Sequence, residues 1–249
     1  MIDIHAHILP GIDDGAEDLD SALEMAAMAV ESGVTTLIAT PHCVEFSRQK
    51  NLWGAELKDR IRDFQIQLDQ ARIPLKILPG MEIFGTEIVP ELLKEKKMIG
   101  LNGSRYPLVE FPFYNYAGRA TEILERILEL GMRPVVAHPE RYRYVQDDPA
   151  ILNLWVQMGC LLQINKGSLL GRFGPYEKRL AYELVDRGFA FAVASDAHSP
   201  RMRSTWMQDV DRLLREEFSD AAADVLLVHN PLKLINNETI RGREPHWFR

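Results

Sequence analysis

A repeating rhythm is what most constrains the fold of this chain. Seven short apolar or β-branched runs stand out: Met1–Ile4, Thr35–Thr40, Leu75–Ile83, Tyr106–Phe111, Arg133–Ala137, Cys160–Asn165 and Phe189–Ser195. Several are nearly continuous in apolar residues, as strands buried on both faces of a parallel sheet must be. Parallel neighbours need long crossovers, and the stretches between the runs carry helical patterns that supply them. In the first, Leu19, Ala22, Leu23, Ala26, Ala27 and Val30 share a face at spacings of three and four, with Gly33 where a helix cap belongs. Ile123, Leu124, Ile127 and Leu128 repeat the device before Gly131, and Glu177–Arg187 repeats it before Gly188. Seven strands alternating with helices predict an α/β barrel rather than an open doubly wound sheet. No Gly-x-Gly-x-x-Gly follows any run, which argues against dinucleotide binding.

Length and composition fit that architecture. With 249 residues, 46% of them hydrophobic, the chain suits one barrel-sized domain spanning 1–249. Its polar tail from about Asn237 ends in Trp247 and Phe248, which either pack on the barrel or hang free. A formal net charge of -7 argues against a nucleic acid partner. The two cysteines, Cys43 and Cys160, give no disulfide framework, so a reducing, cytoplasmic setting is expected. The N-terminus lacks a basic and then apolar leader, and no apolar run approaches the ~18 to 20 residues that cross a bilayer. Membrane insertion is not expected.

The chemistry lies where the runs end. The first leads into Asp3-x-His5-x-His7, and residues two apart on an extended chain share a face, so the three side chains converge. Two imidazoles so placed form a chelate, and Asp3 is expected to orient one of them as a hydrogen-bond acceptor. The loop Gly11-Ile12-Asp13-Asp14-Gly15 adds two carboxylates. Later runs lead into His42, Glu82, Glu110, His138-Pro139-Glu140-Arg141 and Asp196-Ala197-His198. Six of seven runs thus deliver His, Asp or Glu at their C-terminal ends, which a parallel barrel gathers on one rim. Buried ionisable groups are costly unless paired or bound to metal, so their recurrence at equivalent positions points to a metal site. One candidate per position gives His5, His7, Asp14, His42, Glu82, Glu110, His138, Asp196 and His198 as ligands. Nine ligands exceed the needs of one ion and suit two or three with bridging carboxylates. Three divalent ions exceed the charge of the four carboxylates by two, which favours an anionic, phosphate-bearing substrate. A nitrogen and oxygen donor set without thiolate points to manganese, iron or zinc. His229 and His246 stand outside the pattern.

These motifs carry a resemblance. Met-Ile-Asp-Ile-His-Ala-His-Ile-Leu-Pro-Gly-Ile-Asp-Asp-Gly at residues 1–15 resembles the PHP (polymerase and histidinol phosphatase) superfamily. Within it, the chain is similar to the bacterial capsule- and exopolysaccharide-associated protein-tyrosine phosphatases. The likeness continues through Ala39-Thr40-Pro41-His42, Pro79-Gly80-Met81-Glu82, Ala137–Tyr142, Gln163-Ile164-Asn165 and Ser195–His198, and reaches Asn230-Pro231. It implies a distorted seven-stranded (β/α)7 barrel of the PHP type holding three divalent ions, usually manganese. On that pattern His5, His7, Glu82 and Asp196 hold one ion, and Glu82 bridges to a second shared with Glu110 and His138. Asp14, His42 and His198 hold the third, while Arg141 and Arg203 bind phosphate. The chain departs from relatives at Ala6, where cysteine is common, and at 45–53, a variable segment expected at the rim.

The implied reaction is hydrolysis of phosphotyrosine by a metal-activated hydroxide, with His42 or His198 available as acid. The implied partner is the tyrosine-rich tail of a bacterial tyrosine kinase that controls capsule or exopolysaccharide synthesis. A cysteine-dependent mechanism needs Cys-x5-Arg, but Gln49 lies six residues after Cys43 and Lys166 six after Cys160. Phe84, Phe113, Tyr114, Tyr116, Tyr142 and Phe173 follow strand ends, either flanking a phosphotyrosyl ring or simply packing the barrel edge. The alternatives are a small-molecule phosphatase with a substrate like histidinol phosphate, an inert metal-binding module, and an amidohydrolase. The last would need a metal-bridging lysine, for which Lys166 is the candidate.

Overall fold

The structure is a computed structural model and describes residues 1–43, 51–114, 116–240 and 244–248. The first run forms strand β1 (Ile2–Ala6), all five residues buried. It pairs in parallel with β2 (Thr36–Ala39), which pairs in parallel with β4 (Lys76–Pro79). A second parallel sheet has the order β3 (His42–Cys43), β5 (Glu82–Phe84), β6 (Leu108–Glu110), β7 (Val135–Ala137), β8 (Leu161–Asn165) and β9 (Ala190–Ala194). The fold is therefore α/β with parallel sheets, as expected.

Nine strands stand among the described residues where seven runs were read, because the third run breaks in the middle and a short extra strand follows the second. Pro41, with no N–H to give the ladder, separates β2 from β3. Gly80 separates β4 from β5, and a Cβ there would lie 2.6 Å from Ile38 Cγ2. Since β2 pairs with β4 and β3 with β5, the broken ribbon passes from one sheet into the other. At the opposite edges, Asp196 N donates to His5 O and His7 N to Ala197 O, both at 2.8 Å, and Ala6 bridges Ala197 in parallel.

Successive residues of single strands join different apolar clusters. Leu108, Val135 and Leu161 belong to one, and Val109, Val136 and Leu162 to the other. Burial on both faces explains the unbroken apolar runs. Helix α1 (Leu19–Glu31) is capped by Asp18, which accepts from Ser21 N at 2.8 Å, and Gly33 ends it at φ +90°. Its buried face is Ala22, Met25, Ala26 and Ala29, turned away from the predicted Leu19 and Leu23. Alanines let the helix backbone lie close to the sheet. Helix α2 is Ala55–Gln70, α3 is Val89–Lys94, and α4 (Ala117–Glu129) buries Ile123, Leu124 and Ile127 as expected. The chain continues through α5 (Arg143–Asp147), α6 (Ile151–Met158), α7 (Lys166–Leu169) and α8 (Pro175–Asp186). It ends with α9 (Gln208–Glu217), α10 (Asp220–Asp224), a π-helical turn at Val225–His229 and α11 (Asn230–Ile235).

The tail packs rather than hangs. Phe189 meets the Trp247 and Phe248 rings at 5.9 and 5.0 Å, and Asn153 exchanges hydrogen bonds with the backbone of Phe248. Residues 45–50 of the expected rim segment lie outside the described residues. Among the described residues no helix is long and apolar enough to cross a membrane.

Candidate metal centre

The strand ends bring every predicted ligand together. His5 lies in β1 and His7 just beyond it, His42 in β3, Glu82 in β5 and Glu110 at the end of β6. In-register pairing sets His42 beside Glu82 across β3 and β5. His138 follows β7 and Asp196 follows β9, each in the left-handed region, at φ +34° and +50°. Such conformations are costly for non-glycine residues and persist only where the surroundings enforce them. Here backbone bonds do so: His138 N donates to Gln163 O, and Asp196 N to His5 O. The 11–15 loop brings Asp13 and Asp14 against the strand ends. It can close because residue 15 is glycine: a Cβ there would stand 2.1 Å from His7 O.

Among the described residues, four groups of donors have ligand atoms within 4.8 Å of one another: His7, Asp14, His42 and His198; His5, His7 and Asp196; His5, Glu82 and His138; and His42, Glu82 and Glu110. Together they hold the nine expected residues and no others. Four residues serve two groups each, the arrangement of adjoining centres that share ligands. The grouping differs in detail from the one implied by the resemblance. His138 sits with His5 and Glu82, and Glu110 sits with His42.

The donor chemistry fits divalent cations. His7 Nδ1 donates to Asp13 Oδ2 at 2.8 Å, and His5 Nδ1 donates to Gln163 Oε1 at 2.9 Å. In its neutral form each ring keeps its proton on Nδ1, and Nε2 presents a lone pair. Those two lone-pair nitrogens face each other at 3.3 Å, and Glu82 oxygens lie 3.2 Å from each. Acceptors converge this way when an electron-poor centre belongs between them. Asp196 Oδ1 and His138 Nδ1 are also buried without a hydrogen-bond partner. Each would cost about 1–3 kcal/mol if nothing satisfied it.

The electrostatics agree. Burial works against the charged form of Glu82, yet the His5, His138 and His42 rings hold its carboxyl well below the usual range. Burial likewise opposes ionisation of Asp196, but His5 and Arg203 hold its carboxyl low. Burial would depress His7, but hydrogen bonds to Asp13 and Glu82 lift it to about 9. His42 is likewise lifted against burial, by Asp14, Glu110 and Glu82. His198 goes the other way, to about 3, pushed by burial and then by His7, whose ring lies 3.9 Å away. The field of the carboxylates thus favours cations among these imidazoles.

Both predicted arginines reach the site through Asp196. Arg141 donates to its Oδ2 at 3.3 Å; Arg203 pairs with the same oxygen and donates from Nε to its backbone oxygen at 3.1 Å. Asn165 Nδ2 also donates to Oδ2. The expectation for Asp3 fails, and the contacts of Tyr142 and Lys166 bear on two readings left open. Asp3 does not orient an imidazole: its Oδ1 accepts from the backbone of Ser195 and His5, and Gln163 takes the ring. Tyr142 is fully buried, its hydroxyl donating to Ala137 O and accepting from Phe111 N, so it is core. Lys166 is in none of the ligand groups; its Nζ donates to Trp206 O, and burial pushes it down to about 8. His229 and His246 are exposed and outside the site.

Comparison with known proteins agrees with this geometry. The chain is 36% identical over 245 residues to the tyrosine-protein phosphatase YwqE of Bacillus subtilis (strain 168), covering 98% of this chain and 95% of that protein. It superposes with a TM-score of 0.93, at 36% identity and full coverage of both chains, on a crystal structure from a study of YwqE and of Streptococcus pneumoniae CpsB, described as metal-dependent tyrosine phosphatases. A phosphotriesterase homology protein from Escherichia coli matches with a TM-score of 0.59 at 16% identity, covering 94% of this chain and 98% of that one, and shares the fold alone. The model of the capsular polysaccharide synthesis family CpsB/CapC matches residues 1–236, and the chain belongs to that family.

Proposed function

We propose that this chain is a metal-dependent protein-tyrosine phosphatase acting on a tyrosine-phosphorylated protein. Its partner is the tail of a bacterial tyrosine kinase that controls capsule or exopolysaccharide synthesis. The observation that carries the reading is the convergence of nine imidazole and carboxylate ligands in four overlapping groups, with two arginines at their edge. Relatives described as tyrosine phosphatases support the substrate. The protein works in the cytoplasm as a single domain, residues 1–249. Its two sheets act as one distorted seven-stranded barrel, a reading supported by the ribbon they share and by the bridge between Ala6 and Ala197.

The ligands are His5, His7, Asp14, His42, Glu82, Glu110, His138, Asp196 and His198, and they take three divalent ions, manganese first. Bound there, the ions would lower the pKa of a coordinated water, supplying a nucleophile near neutral pH, and offset phosphoryl charge. Arg141 and Arg203 each spend only part of a five-donor guanidinium on Asp196, so both keep N–H groups for phosphoryl oxygens. Asp13 and Gln163 hold His7 and His5 with Nε2 turned inward. The phenolic oxygen leaves with a pKa of ~10 and needs little protonation. Asp14 is 61% exposed at its side chain, and such an open edge suits a protein tail better than an enclosed metabolite.

The test is phosphate release from a phosphotyrosine peptide beside histidinol phosphate, using protein stripped of metal and resupplied with manganese. Manganese-dependent turnover of the peptide, lost in His5→Ala, is expected. Turnover of histidinol phosphate alone would keep the site and change the substrate.

A further inference from the structure

Phe173 belongs to no ligand group and lies in the loop between α7 and α8, yet it meets both arginines. Its ring lies 4.3 Å from the guanidinium carbon of Arg141 and 5.9 Å from that of Arg203. Phe113 covers Arg141 from 4.9 Å, so this guanidinium has two aromatic contacts as well as its bond to Asp196. The Phe173 ring is itself held in place. It rests on Gly167, where a Cβ would stand 2.6 Å from Cε2, and Gly171 and Gly174 shape its loop at φ +74° and +132°. Gly167 lies in α7, whose cap Asn165 accepts from Gly167 N at 2.9 Å and donates to Asp196. Ring, cap and ligand therefore form one continuous support beneath the arginines.

From this geometry we propose that Phe173 is a positioning residue, fixing Arg141 and Arg203 in the orientation in which they take a phosphoryl group. The inference rests on the reading above that these arginines bind phosphate. An unrestrained arginine carries much rotamer freedom that must be lost on binding, and an aromatic face removes part of that loss in advance. A half-buried phenylalanine in a loop bounded by glycines has little other reason to point at two cations rather than into the core.

Phe173→Leu keeps apolar bulk and removes the aromatic face, whereas Phe173→Tyr keeps the face. In manganese-loaded protein, F173L is expected to weaken inorganic phosphate binding by about tenfold, equivalent to about 1.4 kcal/mol. KM for a phosphotyrosine peptide should rise by a similar factor, with kcat and bound metal nearly unchanged. F173Y should restore phosphate affinity to within about twofold, well under 1 kcal/mol. A readout independent of turnover is the side-chain order of Arg141 Nε, from nitrogen relaxation in zinc-loaded, diamagnetic protein, which should fall in F173L and recover in F173Y. Unchanged phosphate affinity or unchanged Arg141 order in F173L overturns the assignment and leaves the phosphatase reading intact. Wild-type protein that neither binds phosphate nor hydrolyses the peptide removes that reading instead. Arg141 order then decides whether Phe173 positions the side chain.

Discussion

Replacing Asp13 by asparagine isolates what holds the ligands from the ligands themselves. Asp13 belongs to none of the donor groups, yet all its hydrogen bonds are accepted ones. Its Oδ2 takes His7 Nδ1 at 2.8 Å and His42 N at 2.9 Å, and Oδ1 takes Gly15 N at 3.0 Å. Asparagine offers one oxygen and one NH2, so whichever way the amide turns, an NH2 faces an N–H donor. Facing Gly15, it costs one hydrogen bond, about 1 kcal/mol. Facing His7, it removes the acceptor that keeps the proton on Nδ1 and Nε2 free. In either orientation the negative charge that makes His7 a stronger donor is gone. Partners of this kind are worth about 10- to 100-fold in metal affinity, or about 1.4–2.7 kcal/mol. Calorimetric titration of stripped D13N with manganese should show that loss, and saturating manganese should restore most of kcat because all nine ligands remain. Manganese affinity within about twofold of wild type, less than 0.5 kcal/mol, would refute the role given to Asp13.

Arg141→Ala should weaken phosphate binding and raise KM while metal content stays at the wild-type level, whereas Asp196→Asn should lose both; metal analysis with phosphate titration separates them. Lys166→Met should keep manganese binding and peptide turnover, with stability within about 1 kcal/mol of wild type, since it trades one hydrogen bond against a desolvated amine. Loss of metal in that variant would revive a bridging role for the lysine. In stripped protein, His7 at about 9 against 6.5 when unfolded gives stability that is full below 6.5 and lost as pH rises through 9, whereas His198 at about 3 gives stability that is full above 6.5 and lost as pH falls. The Tm of stripped protein should therefore peak near 6.5 and that of manganese-loaded protein keep rising above it; a stripped Tm climbing steadily across that range would refute the assignment.

The fold was legible where burial dictates residue type. Strands such as β7 and β8 are covered on both faces, so their sequences are apolar without alternation and their polar ends stand out. The glycines at 33, 131 and 188 marked helix ends because only left-handed backbone fits there. The passage of a ribbon between two sheets was not read, although Pro41 is a sufficient reason for a strand to break. Among the ligands, choosing Asp14 over its neighbour Asp13 agrees with the donor groups, but the part played by Asp13 depends on how closely the loop folds over His7. Gln163 had a usable signal: it is an amide inside a run of buried apolar residues, in the one run that ends without His, Asp or Glu. Phe173 had none. Its loop position gives no periodicity, and its neighbours Arg141 and Arg203 are distant in sequence.

Asp196 explains why the ligands and arginines cannot be treated as separate parts. Its Oδ1 has no hydrogen-bond partner and faces ring nitrogens of His5, His7 and His198 at 3.5–3.6 Å. Its Oδ2 takes Asn165, Arg141 and Arg203. A carboxylate divided in this way meets imidazoles on one side and guanidinium groups on the other. A cation held beside Oδ1 would draw electron density from Oδ2, so each arginine would be held less tightly and more of its donor capacity would be free for a phosphoryl group. The left-handed backbone of Asp196 keeps it from relaxing toward one side. On the proposed reading, metal occupancy and phosphate affinity would be linked through one carboxylate, with Phe173 keeping the arginines aligned as their hold on it loosens.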